Sequence, residues 1–391
     1  MQPEFEKKVQ VSGLLERVAT RLELSDAQYD LAKKRYEEAG SWLAESTNPL
    51  LKYLQIYPQG SASIGTTVRP LKKNEFDIDL VSHVPDFPST MPPHVLKRSI
   101  GERLKLEGGP YAKIVEEKPR CWRLNYANEF HLDITPSVPN PQCGRNGELV
   151  PDKKVQDWKE SNPKGFRDWF SSAAEKQPRF RILEAAFGER MIKAANIEAL
   201  PENAPLKGIL RRTIQICKHH RDKFFYDRNP AHAPISIILT TLGTQSYLNC
   251  ISRFEYDTEI DALRDTIKYM PDFIDVRTTP HGVRYHVWNP TTNNENFAER
   301  WNYDVELPRA FYEWHTNALV TIDGFLAAVG VDTLQKSMNA CFSEPIVESA
   351  FAEVMDSVGR ARFTGSLGIV TGVGVGISGG AKIPSNTFYG R

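Results

Sequence analysis

Over residues 1 to about 46 the apolar positions recur at helical intervals. Tyr29, Ala32, Tyr36, Ala39 and Leu43 share one face. Ser25-Asp26-Ala27-Gln28 in front of them has the form of a capping box, and Asn48-Pro49 ends the segment. The period then drops to two. Phe76, Ile78 and Leu80 alternate with Asp77, Asp79 and Val81, which predicts a strand. Trp122-Arg123-Leu124-Asn125-Tyr126 and Phe130-His131-Leu132-Asp133-Ile134, around a turn at Ala127-Asn128, predict a hairpin with one apolar and one polar face. Pro136 to Pro163 is rich in Pro, Asn, Lys and Gly and reads as loop. Helical spacing resumes at Asn162, with a boundary at Pro201 to Pro205. Beyond it Leu206, Leu210, Cys217 and Phe224 predict a buried helical face. Another helix is expected over Ile235 to Leu248, and residues 295–355 read mostly as helix. From Gly359 onward, glycines such as Gly365, Gly374 and Gly380 leave no period, so an irregular tail is expected.

The 391 residues are 40% hydrophobic and 10% aromatic, enough for packed cores in two or three lobes. Lys+Arg and Asp+Glu each number 49, for zero formal net charge. Proteins that hold long nucleic acid are usually basic over much of their surface, so no long DNA or RNA partner is expected. Small phosphorylated ligands, held by a few local cations, fit better. Cys121, Cys143, Cys217, Cys250 and Cys341 contain no CxxC pair and read as reduced thiols of a cytoplasmic protein. The charged start MQPEFEKKVQ lacks a signal core, and no apolar run approaches ~20 residues, so no membrane span is expected.

Residues two apart on a strand point the same way, so Asp77 and Asp79 bring two like charges together. A half-buried carboxylate pair is costly without a counter-ion, and magnesium prefers oxygen ligands and substrate phosphates. Asp133, on the polar face of the hairpin, is the candidate third acid. Three such acids suit two Mg2+ (or Mn2+) ions, one at a triphosphate and one at an attacking hydroxyl. Gly60-Ser61 adds a turn where backbone can approach a phosphate and a hydroxyl can bond it. Alone, an Asp-x-Asp reads better as a solvated edge strand and a Gly-Ser as a plain turn; the joint pattern is far more specific.

Gly60-Ser61, Asp77-Ile78-Asp79 and Asp133 resemble the signature of the DNA polymerase β-like nucleotidyltransferases. YPQGSASIGTTVRP, EFDIDLV, FHLDITPS, SNPKGFRDWF, RRTIQICKHHRDKFF, APISIILTTL and NFAERW, in order over residues 50 to 315, resemble the bacterial CD-NTases, relatives of cyclic GMP-AMP synthase. The resemblance implies an α+β, two-lobed polymerase β-like fold, a mixed sheet with an N-terminal spine helix plus a helical lobe. The expected divisions are a spine over 1–47, a nucleotidyltransferase core over 48–204, a helical lobe over 205–358 and a glycine-rich tail over 359–391. The implied activity is condensation of ribonucleoside triphosphates, ATP among them, into a cyclic di- or trinucleotide messenger of anti-phage defence. Asp77, Asp79 and Asp133 would be the catalytic, metal-binding acids. Gln59, Gly60, Ser61, Lys218 and Ser236 would contact nucleotide. A regulatory or conjugating partner from the same operon could attach through the tail.

Without the resemblance, Lys218 reads as part of a solvated basic patch with His219, Arg221 and Lys223, and Ser236 as a helix cap. Trp158, Asn162 and Phe166 suit base stacking or a packed loop equally. Arg69 reads as structural rather than phosphate-binding. His131 could orient Asp133 but reads as an ordinary histidine. Adjacent His219 and His220 point apart on a helix, which argues against a metal pair. Gly374-Val375-Gly376-Ile377-Ser378-Gly379 spells GxGxxG but leaves no room for a βαβ unit. A linear oligonucleotide synthase, transfer to a protein or RNA acceptor, and a non-catalytic nucleotide sensor are the competing functions.

Overall fold

The computed structural model describes residues 2–71, 76–88, 90–127, 130–152, 156–181, 207–363, 368–370, 374–376 and 381–382. The N-terminal helical segment is two helices, α1 (Gln2–Arg21) and α2 (Asp26–Ala44), rather than one. The Ser25 side chain accepts the Gln28 N–H while Gln28 accepts the Ser25 N–H, so the capping box that the sequence spells starts a new helix. The break lets each helix join a different core. Val11, Leu14, Leu15 and Val18 of α1, and Leu22 just after it, are buried with the C-terminal helices. Ala32, Ala39 and Leu43 of α2 are buried against the sheet, whereas Tyr29 is exposed.

The sheet is mixed. Its central order is β1 (Gln55–Gln59), β2 (Phe76–His83), β5 (Phe130–Pro139), β4 (Trp122–Tyr126) and β3 (Val115–Glu117). β2 and β5 run parallel, and the other neighbours are antiparallel. Helix α3 (Gly60–Ile64) follows β1, and α4 (Pro93–Leu104) packs on the sheet through Leu96, Ile100 and Leu104. Alternation along β2 buries Phe76, Ile78 and Leu80 and turns Asp77 and Asp79 the other way.

The expected loop at 136–163 is largely strand. β5 continues to Pro139, and β6 (Glu148–Pro151) and β7 (Trp158–Ser161) extend the sheet. Pro139 and Pro151 close β5 and β6, whereas Pro136 lies within β5 opposite Ser82 of β2. A buried network anchors it: Tyr57 and Ser137 donate to the Glu148 carboxylate, and His83 bonds Ser137 at 2.9 Å. Helix α5 (Pro163–Ala174) begins where the sequence places it, capped by the Asn162 side chain on the Gly165 N–H.

The helical lobe comprises α6 (Gly208–Phe224), α7 (Ser236–Arg253), α8 (Glu259–Lys268), α9 (Glu306–Ala327), α10 (Val331–Cys341) and α11 (Glu344–Phe363). Helix α11 thus crosses the expected start of the tail at residue 359. Three short strands then pair antiparallel, Gly368–Val370 with Gly374–Gly376 and Ala381–Lys382, where an irregular tail was expected. The boundary at Pro201 to Pro205, Leu206 and the end of the chain from Ile383 lie outside the described residues. No helix among the described residues is long and apolar enough to cross a membrane.

Candidate active site

A cavity of about 620 Å3 opens between the sheet and the helical lobe. Gln59, Gly60, Ser61, Asp77, Asp79, Lys218 and Ser236 all line it. Residues from four separate stretches of sequence therefore meet at one place. Asp133 does not line the cavity. It stands beside Asp79 in the parallel β2–β5 register, and Asp77 stands beside His131.

Arg123, which sequence reasoning missed, organises the acids. Its Nε and Nη2 donate to the two oxygens of Asp133, each at 2.7 Å, and Nη2 lies 3.1 Å from Asp77 Oδ1. Such a fork-on-carboxylate pair fixes direction as well as charge. The signal was present: in a tight antiparallel hairpin that pairs Trp122 with Ile134, Arg123 must face Asp133. Arg123 therefore orients this acid.

Gly60 sits at φ +64°, a left-handed conformation that L side chains rarely adopt. A Cβ there would lie 2.5 Å from Asp79 Oδ2. The glycine thus lets the turn close directly over the acid. Ser61 accepts a hydrogen bond from Thr67 Oγ1 at 3.3 Å, and its carbonyl accepts the Thr66 N–H. Gln59 faces Asp79 across the β1–β2 pair, its amide 3.4 Å from Thr135 Oγ1.

The KHH segment is interior, not a solvated basic patch. Lys218, His219 and His220 are all buried, and Lys218 Nζ donates to Thr66 Oγ1 at 2.8 Å and to the Thr66 carbonyl. The helix packs this face because α9 and α10 cover it: His219 stacks on Phe342, and His220 accepts the Trp314 indole N–H. Arg221 donates to the Pro234 carbonyl and to Ser236 Oγ, which places Ser236 at the first turn of α7 on the cavity wall. Phe166 and Asn162 also line the cavity, but the Asn162 amide is spent on the carbonyls of Arg145 and Thr291. Trp158 packs instead against Phe87. Arg69 is exposed, and its N–H donates to the Leu22 carbonyl.

Burial, then the nearby carboxylates of Asp133 and Asp77, push Asp79 up to about 7. Burial, then Arg221, pulls Lys218 down to about 7. Folded Asp79 keeps a proton that the unfolded chain has lost between roughly pH 4 and 7, so its contribution to stability falls as pH rises through that window. Lys218 has lost a proton that the unfolded chain keeps between about pH 7 and 10, so its contribution rises there. The two contributions are therefore least favourable near neutrality. Unfolding of the ligand-free protein and of Asp79→Asn, followed by urea from pH 4 to 7, should show the wild type losing ground to the variant as pH rises. A difference independent of pH would contradict this.

Among the described residues no three His, Cys, Asp or Glu side chains are gathered as around a metal ion. The donor set still suits a hard divalent cation. Asp79 is short of positive charge, Asp77 is open to the cavity, and Arg123 already balances Asp133.

Residues 10–173 match the Second Messenger Oligonucleotide or Dinucleotide Synthetase domain. The chain is 32% identical over 390 residues to a c-di-GMP synthase of Roseivirga ehrenbergii, covering 98% of each. This chain is a bacterial CD-NTase, a cyclic oligonucleotide synthase. It is also 26% identical to the cyclic dinucleotide synthase CdnG of Bradyrhizobium diazoefficiens, over 90% of this chain and 84% of the relative. The solved structure of that CdnG in complex with GTP shares the fold, with TM-score 0.63 over 88% of this CD-NTase and 99% of that chain. The polymerase β-like, two-lobed fold expected from the motifs is therefore the fold of this CD-NTase, and nucleotidyl transfer is its reaction.

Proposed function

We propose that this CD-NTase uses GTP to make a guanosine-containing cyclic dinucleotide. The observation that carries the catalytic reading is the shared cavity, in which Asp77 and Asp79 face Gly60-Ser61 and Lys218. The base is proposed from the c-di-GMP synthase relative, which matches nearly end to end.

In this reading Asp77, Asp79 and Asp133 hold Mg2+ or Mn2+, which when bound neutralises triphosphate charge and acidifies the attacking hydroxyl. Lys218, Ser61 and Ser236 hold donor phosphates, and Gln59 and Gly60 shape the turn against them. The acceptor ribose oxygen forms a bond to the donor α-phosphorus. The bond from that phosphorus to the β-phosphate bridging oxygen breaks, and pyrophosphate leaves. The hydroxyl proton passes to Asp133 or to water; Asp133 can take it only by loosening the Arg123 fork. A second such transfer closes the ring. The product would serve anti-phage defence by activating a separate effector. The glycine-rich segment over residues 359–391 would be the attachment point for an operon partner.

Purified protein incubated with magnesium and labelled GTP, ATP, CTP and UTP, then with phosphatase, tests the reading. The expected result is a phosphatase-resistant product that carries guanosine label and has the mass of a cyclic dinucleotide. Label wholly sensitive to phosphatase would point to a linear oligonucleotide, and label on a macromolecule to a different acceptor. Resistant product made from ATP alone would remove the guanosine assignment.

A further inference from the structure

The cavity that holds Asp77 and Asp79 is also lined by a carboxylate that nucleotidyl transfer does not use. Glu295 lines the cavity from the segment between the strand Gly282–His286 and α9. Asn289 holds it in place: the Asn289 amide donates to Glu295 Oε2 at 2.6 Å. Asn289 is itself fixed, because its Oδ1 accepts both the N–H and the Oγ1–H of Thr291. The loop is tied to the sheet lobe as well, since the Thr291 carbonyl accepts from Asn162 and Glu160 accepts the N–H groups of Asn293 and Asn294. Glu295 Oε1 has no hydrogen-bond partner among the described residues. Phe297 and Phe166, also lining the cavity, meet edge to face at 5.9 Å, an apolar surface for a flat ring.

We infer that Glu295 is a specificity-determining residue that reads the Watson–Crick edge of guanine. The inference rests on the guanosine reading above. Guanine presents two adjacent donors there, N1–H and the N2 amino group, and an ionised carboxylate accepts both. Adenine presents one donor beside the N1 lone pair, which faces the carboxylate unfavourably; cytosine likewise pairs a donor with the N3 lone pair. Uracil offers a single N–H between two carbonyls. A carboxylate pinned on one oxygen and open on the other therefore selects guanine among the four bases. Burial pushes Glu295 up to about 7 despite the Asn289 bond, the condition of a carboxyl group short of donors that a ligand would supply.

The test is kcat/KM for GTP and for ATP in the wild type and in Glu295→Gln, which keeps the shape but replaces an acceptor with a donor. The GTP-to-ATP ratio should fall by roughly 10- to 100-fold, the range of a lost bidentate base contact. An unchanged ratio in the variant beside a GTP-preferring wild type would overturn this inference alone, as would an equal loss for both nucleotides. A wild type indifferent to GTP would overturn the guanosine reading and this inference with it. Inosine triphosphate provides a readout that needs no variant. It lacks only the N2 amino group, so the wild type should use it roughly 10-fold less well than GTP, as for one missing hydrogen bond to a charged acceptor. Equal use of the two would count against Glu295.

Discussion

Asp79→Asn together with Asp77→Asn should lower cyclic dinucleotide formation by about a thousandfold or more, the scale of losing the charge stabilisation of phosphoryl transfer. The two side chains differ in kind. Asp77 is exposed at the cavity, whereas Asp79 is enclosed and crowded by two other carboxylates. Removing the Asp79 charge relieves that crowding. The double variant should therefore unfold at least as late as the wild type when no ligand is present, while losing activity. Thermal unfolding and the phosphatase-resistance assay, run on the same preparation, check both halves. A variant that is inactive because it is unfolded would not meet the expectation, and one that retains a tenth of the activity would remove these acids from the chemistry.

Gly60→Ala should be nearly as damaging, by roughly a hundredfold or more in kcat/KM, through geometry instead of charge. The added methyl meets Asp79 Oδ2 at 2.5 Å, and the φ of +64° strains any L side chain. Either the turn lifts off β2 or Asp79 rotates away, and each outcome separates Ser61 from the acids. Ser61→Ala removes only a hydroxyl and should cost less. Steady-state kinetics on the two variants give the order; a Gly60→Ala enzyme as active as Ser61→Ala would mean that the close approach of turn and acid is not needed.

Much of the sheet lobe was legible because its signals are local. Alternation along Phe76–Leu80 is enough to set which side of β2 carries Asp77 and Asp79. The hairpin pairing follows from a turn and two apolar faces, and a capping box marks the start of α2. The misreadings arose where pattern and context part. Pro and Asn richness over 136–163 suggested loop, yet Glu148 is buried there by Tyr57 and Ser137, partners from two other strands. Lys218 and its histidines looked like a wet patch because charge in a sequence carries no sign of burial; Thr66, about 150 residues away in the chain, supplies the hydrogen bonds that make burial tolerable. The glycine-rich tail gave no period, since strands two or three residues long are too short to show one.

The acids, the Gly-Ser turn and the family are thus properties of the linear chain, each carried by residues close together in it. Their assembly is not. The packing of α6 and α7 on α3 and α5 accompanies the arrival of Lys218 and Ser236 at the cavity that Asp77 and Asp79 line, Glu295 reaches the same cavity, and the β4–β5 register sets Arg123 on Asp133. Those outcomes depend on contacts between segments more than a hundred residues apart, or across a strand register, and such contacts are decided by which buried surfaces fit together.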